Sequence, residues 1–182
     1  MTTTARVAAI LGVVAVTSCS AEGNSTTPPE RTATSTTTSI APLPDPPERK
    51  AIDAYLAMWR EMAEAGETSN AEAPGLAEHA TGDALVVIRN SLAEDNRKGL
   101  VTMGSPKSDP QVTNVDRADG VVSVVKIRDC GDDSTWLKYR KGTNEPADGQ
   151  GGGRRSIFAE VKAQPDGSWR VTRFAVQGVG SC

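Results

Sequence analysis

The sequence is poor in aromatic rings and nearly devoid of histidine. Its 182 residues include two Phe, two Tyr, three Trp and a single His, His79. So few rings offer no platform on which successive bases could stack, and a formal charge of −3 supplies no basic field, so nucleic acid is not an expected partner. A lone imidazole excludes a metal site built from several histidines and any Ser-His-Asp triad that does not use His79 itself. At a helix end such a residue more often caps or packs than acts as a base. No cofactor is expected. The Gly-rich run at 149–153 lacks the Gly-Lys-Ser/Thr ending and the strand-to-helix setting of a phosphate loop. Runs of 18 or more apolar residues are also missing, so no membrane-spanning helix is expected.

What is present begins with a short apolar leader. Residues 1–6 carry one positive charge, Arg6, and residues 7–16 are an apolar run of signal-peptide length. The next step, Val16-Thr17-Ser18-Cys19, resembles a bacterial lipobox. Small side chains let the backbone enter a peptidase groove, and the Cys19 thiol would accept a diacylglyceryl thioether before cleavage. The reading is a signal peptide over 1–18 and a lipid anchor on Cys19, with ordinary secretion as the alternative. Two acyl chains supply the double signal that stable anchoring needs, at about 0.8 kcal/mol per buried methylene. The membrane is thus an expected partner, through the anchor, at the extracytoplasmic face.

Residues 19–47 are mostly Ser, Thr and Pro and end in Pro42-Leu43-Pro44-Asp45-Pro46-Pro47. With almost no large apolar side chains, they cannot offset the entropy of ordering, and a disordered linker or stalk is expected. The folded domain is then 48–182.

Helix spacing marks its first half. Ile52, Tyr55, Leu56, Trp59 and Met62 share one face of a helix expected over 48–65, closed by Gly66. Tyr55 and Trp59 are four apart, so they either fill core or line a ligand pocket. A weaker helix is expected over 69–80, where Pro74 fits only the first turn, and a third over 83–98 with Leu85, Val86, Ile88, Arg89 and Leu92 as its stripe. The step His79-Ala80-Thr81-Gly82 reads as the corner between them, with His79 as a third candidate for the pocket wall.

Period-two runs fill the second half: 111–117, 121–130, 135–141, 154–163 and 169–177, separated by Asp-Gly, Gly-Asp-Asp, a Gly-rich loop and Pro-Asp-Gly. A mainly antiparallel sheet follows. Alternation places Val121, Val125 and Ile127 inward with Leu137, Tyr139, Ile157, Ala159, Val161, Trp169 and Val171. The outer face gathers Lys126, Arg128, Lys138, Arg140, Lys162 and Arg170. It is either a solvated face or a surface for anionic headgroups. The carboxylates in this half sit mainly at turns, with Glu160 a mid-strand exception on the outer face.

Three cysteines are an odd number for a secreted chain, and the oddness vanishes if Cys19 is lipidated and Cys130 bonds Cys182. That bridge would pin the chain end onto the end of the second strand. Free thiols or an intermolecular bond are the alternatives. Beside Cys130, the turn Asp129 to Trp136 holds Asp129, Asp132 and Asp133, but their spacing is not that of a dedicated calcium loop, and a structural corner is the simpler reading.

As a set, His79 to Leu85, Gly99 to Pro106, Asp129 to Trp136, Gly152-Gly153-Arg154-Arg155, Gly167 to Thr172 and the terminal Gly180-Ser181-Cys182 resemble small actinobacterial secreted lipoproteins with a nuclear-transport-factor-two-like (ketosteroid-isomerase-like, cystatin-like) domain. The resemblance covers about 48–182. It implies an α+β fold in which N-terminal helices pack on a curved, mainly antiparallel sheet, a cone with a cavity between the layers. Catalytic members of the wider superfamily carry Asp, His or Tyr in that cavity. No matching motif is present here, so no catalytic residue is carried over. The early strand usual between the second and third helices is also not evident. The function expected is a non-catalytic module at the cell envelope that binds a small apolar ligand or an envelope protein. The alternative is an isomerase, cyclase or dehydratase that uses the cavity.

Overall fold

The computed structural model describes residues 46–143, 145–147 and 152–182. The leader, Cys19 and nearly all of the linker lie outside them. Three helices come first: α1 (Pro47–Gly66), α2 (Pro74–His79) and α3 (Gly82–Arg97). Six strands follow: β1 (Leu100–Met103), β2 (Gln111–Ala118), β3 (Val121–Asp132), β4 (Leu137–Arg140), β5 (Arg154–Ala163) and β6 (Trp169–Val176). The architecture is the expected α+β one, with helices packed on an antiparallel sheet and a bond between Cys130 and Cys182, whose Cα atoms stand 5.9 Å apart.

Helix α1 starts where Pro47 supplies a preset φ and no unused N–H, with Glu48 in the first turn beside the positive helix end. Its buried stripe, Ala51, Ala54, Tyr55, Met58 and Trp59, lies against the sheet. Small residues in that stripe allow close approach, and Tyr55 and Met58 fill the space between the layers. The second helix is shorter than the spacing suggests. Ser69 takes a left-handed φ of 53° and donates its hydroxyl to the Leu100 carbonyl, while Asn70 accepts the Glu72 N–H. These contacts hold 67–73 in turns, so helix can begin only at Pro74. In α3 the inward stripe is Ala84, Ile88, Leu92 and Asp95, whereas Val86 is exposed, contrary to its place in the expected stripe.

The main sheet has the order β2-β3-β5-β6, all antiparallel. It holds four of the five runs read from the sequence. Strand β4 leaves the sheet and pairs with β1, a strand not foreseen, in a separate ribbon with Val101 opposite Tyr139. Strand β3 therefore pairs directly with β5, with Val125 opposite Val161 and Ile127 opposite Ala159.

Of three register shifts in the ladders, two bear on the core and the cleft. Ladder pairing steps from Arg117–Val122 to Asp116–Val124, leaving Ser123 as an extra residue. Val122 consequently faces the core and Val121 is exposed, the reverse of simple alternation. The second bulge lies between Val161–Val171 and Glu160–Arg173, with Thr172 as the extra residue, and it turns Phe174 inward. On the edge beyond β6, Ala80 bridges Val171 and the Thr81 N–H reaches the Val171 carbonyl, so the helix corner covers that strand.

The outer face is less basic than its composition. Lys126 pairs with Asp116, Lys162 and Arg173 with Glu160, and Arg170 with Asp166. Lys138 and Arg140 belong to the separate ribbon, and Lys138 turns instead to the buried Asp95 at 2.6 Å.

Candidate functional site

Consecutive turns of α1 set Tyr55 and Trp59 edge to face, ring centroids 6.2 Å apart at 82°. Beneath them the central strand β3 continues the inward parity of Val125 and Ile127 to Asp129. Tyr55 donates its hydroxyl to Asp129 Oδ2 at 2.8 Å, and the Asp109 N–H donates to Oδ1 at 2.7 Å. Both side chains are fully buried. Burial, then the Asp129 charge and hydrogen bond, push the Tyr55 phenol far above the usual tyrosine range. Tyr55 is therefore a fixed neutral donor, and each Asp129 oxygen accepts one hydrogen bond.

Trp59 continues from this pair toward the open end of the layers. It meets Trp136 at 6.1 Å and Phe174 at 5.4 Å, both edge to face. These three rings, with Met62, Val87 and Ile157, bound an apolar cavity of about 180 Å³. Ring-edge geometry gives the wall some rigidity. The indole N–H of Trp136 is buried without a hydrogen-bond acceptor among the described residues, and that of Trp59 lies beside the Tyr55 hydroxyl without well-directed hydrogen-bond geometry.

A second, more polar cavity of about 360 Å³ shares Met62, Ser91, Asp133, Trp136 and Arg155 with the first. Arg155 Nε stands 2.9 Å from Asp133 Oδ2 as an ion pair that lacks the direction of a hydrogen bond. The other Asp133 oxygen accepts the Gly153 N–H. At the far wall is the Lys138–Asp95 pair, and the C-terminal Val179 forms part of the rim. The two cavities make one cleft, apolar at its inner end and charged at its outer end.

The expected pocket residues are thus divided. Trp59 lines the cleft. Tyr55 lies behind it, closed off with Asp129. His79 joins neither: it ends α2, half-buried, in an open groove on a different face of α1 beside Lys50, Asp53 and Trp169. The acidic corner also disperses. Asp129 points into the core, Asp132 accepts the Ser134 N–H, and Asp133 turns to Arg155. Among the described residues, no three His, Cys, Asp or Glu side chains converge as a metal site.

Sequence reasoning missed Asp129 as an inward carboxylate and Phe174 as a cleft wall. Parity from Val125 and Ile127 points to Asp129 within the expected 121–130 run itself, where the acidic turn drew the reading instead. Phe174 depends on the Thr172 bulge, for which the sequence carries no signal we can identify.

No protein-family model and no curated protein sequence matches the chain. Among solved structures, it is similar to the intermembrane space region of the chloroplast protein ARC6, at 17% identity and a TM-score of 0.41, covering 74% of this chain and 99% of that one. It is also similar to a ketosteroid isomerase-like protein from Erwinia carotovora atroseptica, at 12% identity and a TM-score of 0.38, covering 71% of this chain and 93% of that one.

Proposed function

We propose that the protein is a lipid-anchored module of the cell envelope, with a nuclear-transport-factor-two-like domain that binds a small, largely apolar molecule in the cleft beside Trp59. The observation that carries the binding reading is the wall of Trp59, Trp136 and Phe174 around an apolar cavity of about 180 Å³. A concave apolar site with a few polar groups at one end suits a small ligand. Binding is favoured over catalysis because neither buried carboxylate stands as an unpaired base beside the apolar cavity. Asp129 is held by Tyr55 and the Asp109 N–H, and Asp95 by Lys138. A general base must bring an accessible oxygen within reach of the substrate; Asp129 has no surface on the cleft, and Asp95, which lines only the polar cavity, faces the Lys138 ammonium there.

The anchor rests on Val16-Thr17-Ser18-Cys19 and on the even pairing left when Cys19 is set aside. Metabolic labelling with a palmitate analogue should mark the wild type and not Cys19→Ala; label that persists in the variant refutes lipidation. Ligand binding is checked by titrating the full chain with medium-chain fatty acids and their amides while following tryptophan emission. Saturable quenching is expected. Val87→Glu, a change at an exposed position on the cleft wall, should abolish it. Quenching that never saturates, or that Val87→Glu leaves unchanged, rejects the site.

A further inference from the structure

The last residues of the chain form a strap. Val179 lines the outer cavity and stands against Gly153, where an added Cβ would lie 2.8 Å from its Cγ1. The Gly180 N–H donates to the Arg154 carbonyl, and Ser181 accepts two hydrogen bonds from Ser156, its hydroxyl oxygen from the Ser156 N–H and its carbonyl from the Ser156 hydroxyl. Gly180, at a φ of 82°, makes the turn that returns Cys182 to Cys130.

The bridge that closes this strap is set unusually for a purely structural disulfide. Cys182 is exposed and Cys130 half-buried, so an external thiolate can approach from the Cys182 side. Behind Cys130 stands a cation. Arg154 directs Nε and Nη2 at the Cys130 Sγ, at 3.2 and 3.1 Å. Its cross-strand partner Asp132 accepts from Ser134 and interacts with Arg154 only through its charge, while the guanidinium directs its two N–H groups at the sulfur. A positive charge beside a sulfur stabilises its thiolate, and a better-stabilised thiolate leaves faster in exchange.

We propose that the Cys130–Cys182 bridge is an exchangeable disulfide, opened by an external dithiol with Cys130 leaving toward Arg154, and that its opening frees the strap at the rim of the cleft. In the first step a dithiol thiolate attacks the Cys182 Sγ. The S–S bond breaks, and its electron pair goes to Cys130, which departs as a thiolate against Arg154. The second thiol of the reductant then gives up its proton and displaces Cys182, which takes that proton. The bridge gains two electrons, and the dithiol is oxidised to a disulfide. Without the bridge, the strap keeps only its few hydrogen bonds against the entropy of five freed residues.

The test uses the native full chain with dithiothreitol as the dithiol. Samples are quenched with a maleimide and the thiols mapped by mass spectrometry, while hydrogen exchange follows β5 and β6. The bridge should open while both strands stay protected. Arg154→Gln should slow opening roughly tenfold through the poorer leaving group, Arg154→Lys should recover much of the rate, and all three proteins should be reduced equally fast in urea. Equal native rates for wild type and Arg154→Gln, or opening only when strand protection is lost, overturn the proposal. Cys182→Ser gives a second check: the Gly180 and Ser156 amides should lose protection with the β5–β6 ladder intact, and retained protection there rules out strap release. Neither measurement involves a cleft ligand, so the outcome is separable from whether the cleft binds one.

Discussion

The Tyr55 hydroxyl reaches Asp129 Oδ2 at 2.8 Å and so ties the first helix to the central strand through the middle of the core. Removing one partner strands the other where water cannot replace it. Tyr55→Phe should keep the ring packing against Trp59 yet cost about 1–3 kcal/mol, the penalty of an unsatisfied buried acceptor. Asp129→Asn should cost less, because the amide can still accept from the Asp109 N–H and present its NH2 to the phenol oxygen. Urea unfolding of the two variants and the double variant gives the coupling; a Tyr55→Phe loss below that of Asp129→Asn contradicts the pairing.

The same pair predicts an alkaline limb. Burial and Asp129 raise the folded-state titration of Tyr55 far above its unfolded value of 10.0. With the folded value raised, the contribution is complete below pH 10 and is lost as pH rises, because the unfolded chain then binds fewer protons than the folded one. Wild-type stability should fall more steeply above about pH 10 than that of Tyr55→Phe, by up to about 1.4 kcal/mol per pH unit. Lysine titration acts on both proteins and cancels in the comparison. Parallel curves from pH 10 upward would mean that Tyr55 ionises as freely folded as unfolded.

Much of this architecture is written in local pattern. The face Ile52, Tyr55, Trp59 and Met62 gives α1, and the Gly-containing turns delimit the longer strands. The bridge follows from counting cysteines. Nonlocal pairing is what the pattern leaves out. Nothing near Leu100 or Leu137 says that β1 and β4 will choose each other over the main sheet. An extra residue at Ser123 or Thr172 costs the sequence no visible feature, yet it decides whether Val121 or Val122 is core and brings Phe174 into the cleft. Tyr55 and Trp59 are legible as one face, but their division between sealed pair and open wall depends on Asp129 and Trp136, more than 70 residues away.

Gly104 and Gly120 separate two reasons for a glycine. Both take left-handed φ, 87° and 79°. A Cβ at Gly120 meets nothing within 4 Å, whereas one at Gly104 lies 2.1 Å from the Thr135 carbonyl oxygen, a backbone atom that cannot swing away. Gly120→Ala should therefore cost only the conformational penalty of about 1–2 kcal/mol. Gly104→Ala adds displacement of the loop before β4, and its total should exceed Gly120→Ala by at least about 1 kcal/mol. Thermal or urea unfolding of the two variants side by side decides it; equal losses would show that the 104–135 approach relaxes freely.

Removing the bridge tests what the strap contributes to global stability. Cys130 and Cys182 are 52 residues apart, and closing a loop of that size is worth about 4 kcal/mol in the chain-entropy model. The double variant Cys130→Ala/Cys182→Ala should lose nearly that amount, since the terminal residues bury little surface and Cys182 is exposed. The loss should come mainly from a freer unfolded chain, so the folded sheet, including the Tyr55–Asp129 bond, ought to persist. The urea midpoint should fall while hydrogen exchange in the β3–β5 ladder still occurs only through global unfolding. A drop of less than about 1 kcal/mol would mean that the reduced, unfolded chain already holds its ends together. A collapse of the β3–β5 ladder under native conditions would instead make the bridge a part of the folded core, and would remove the basis for treating the strap as separable from the sheet.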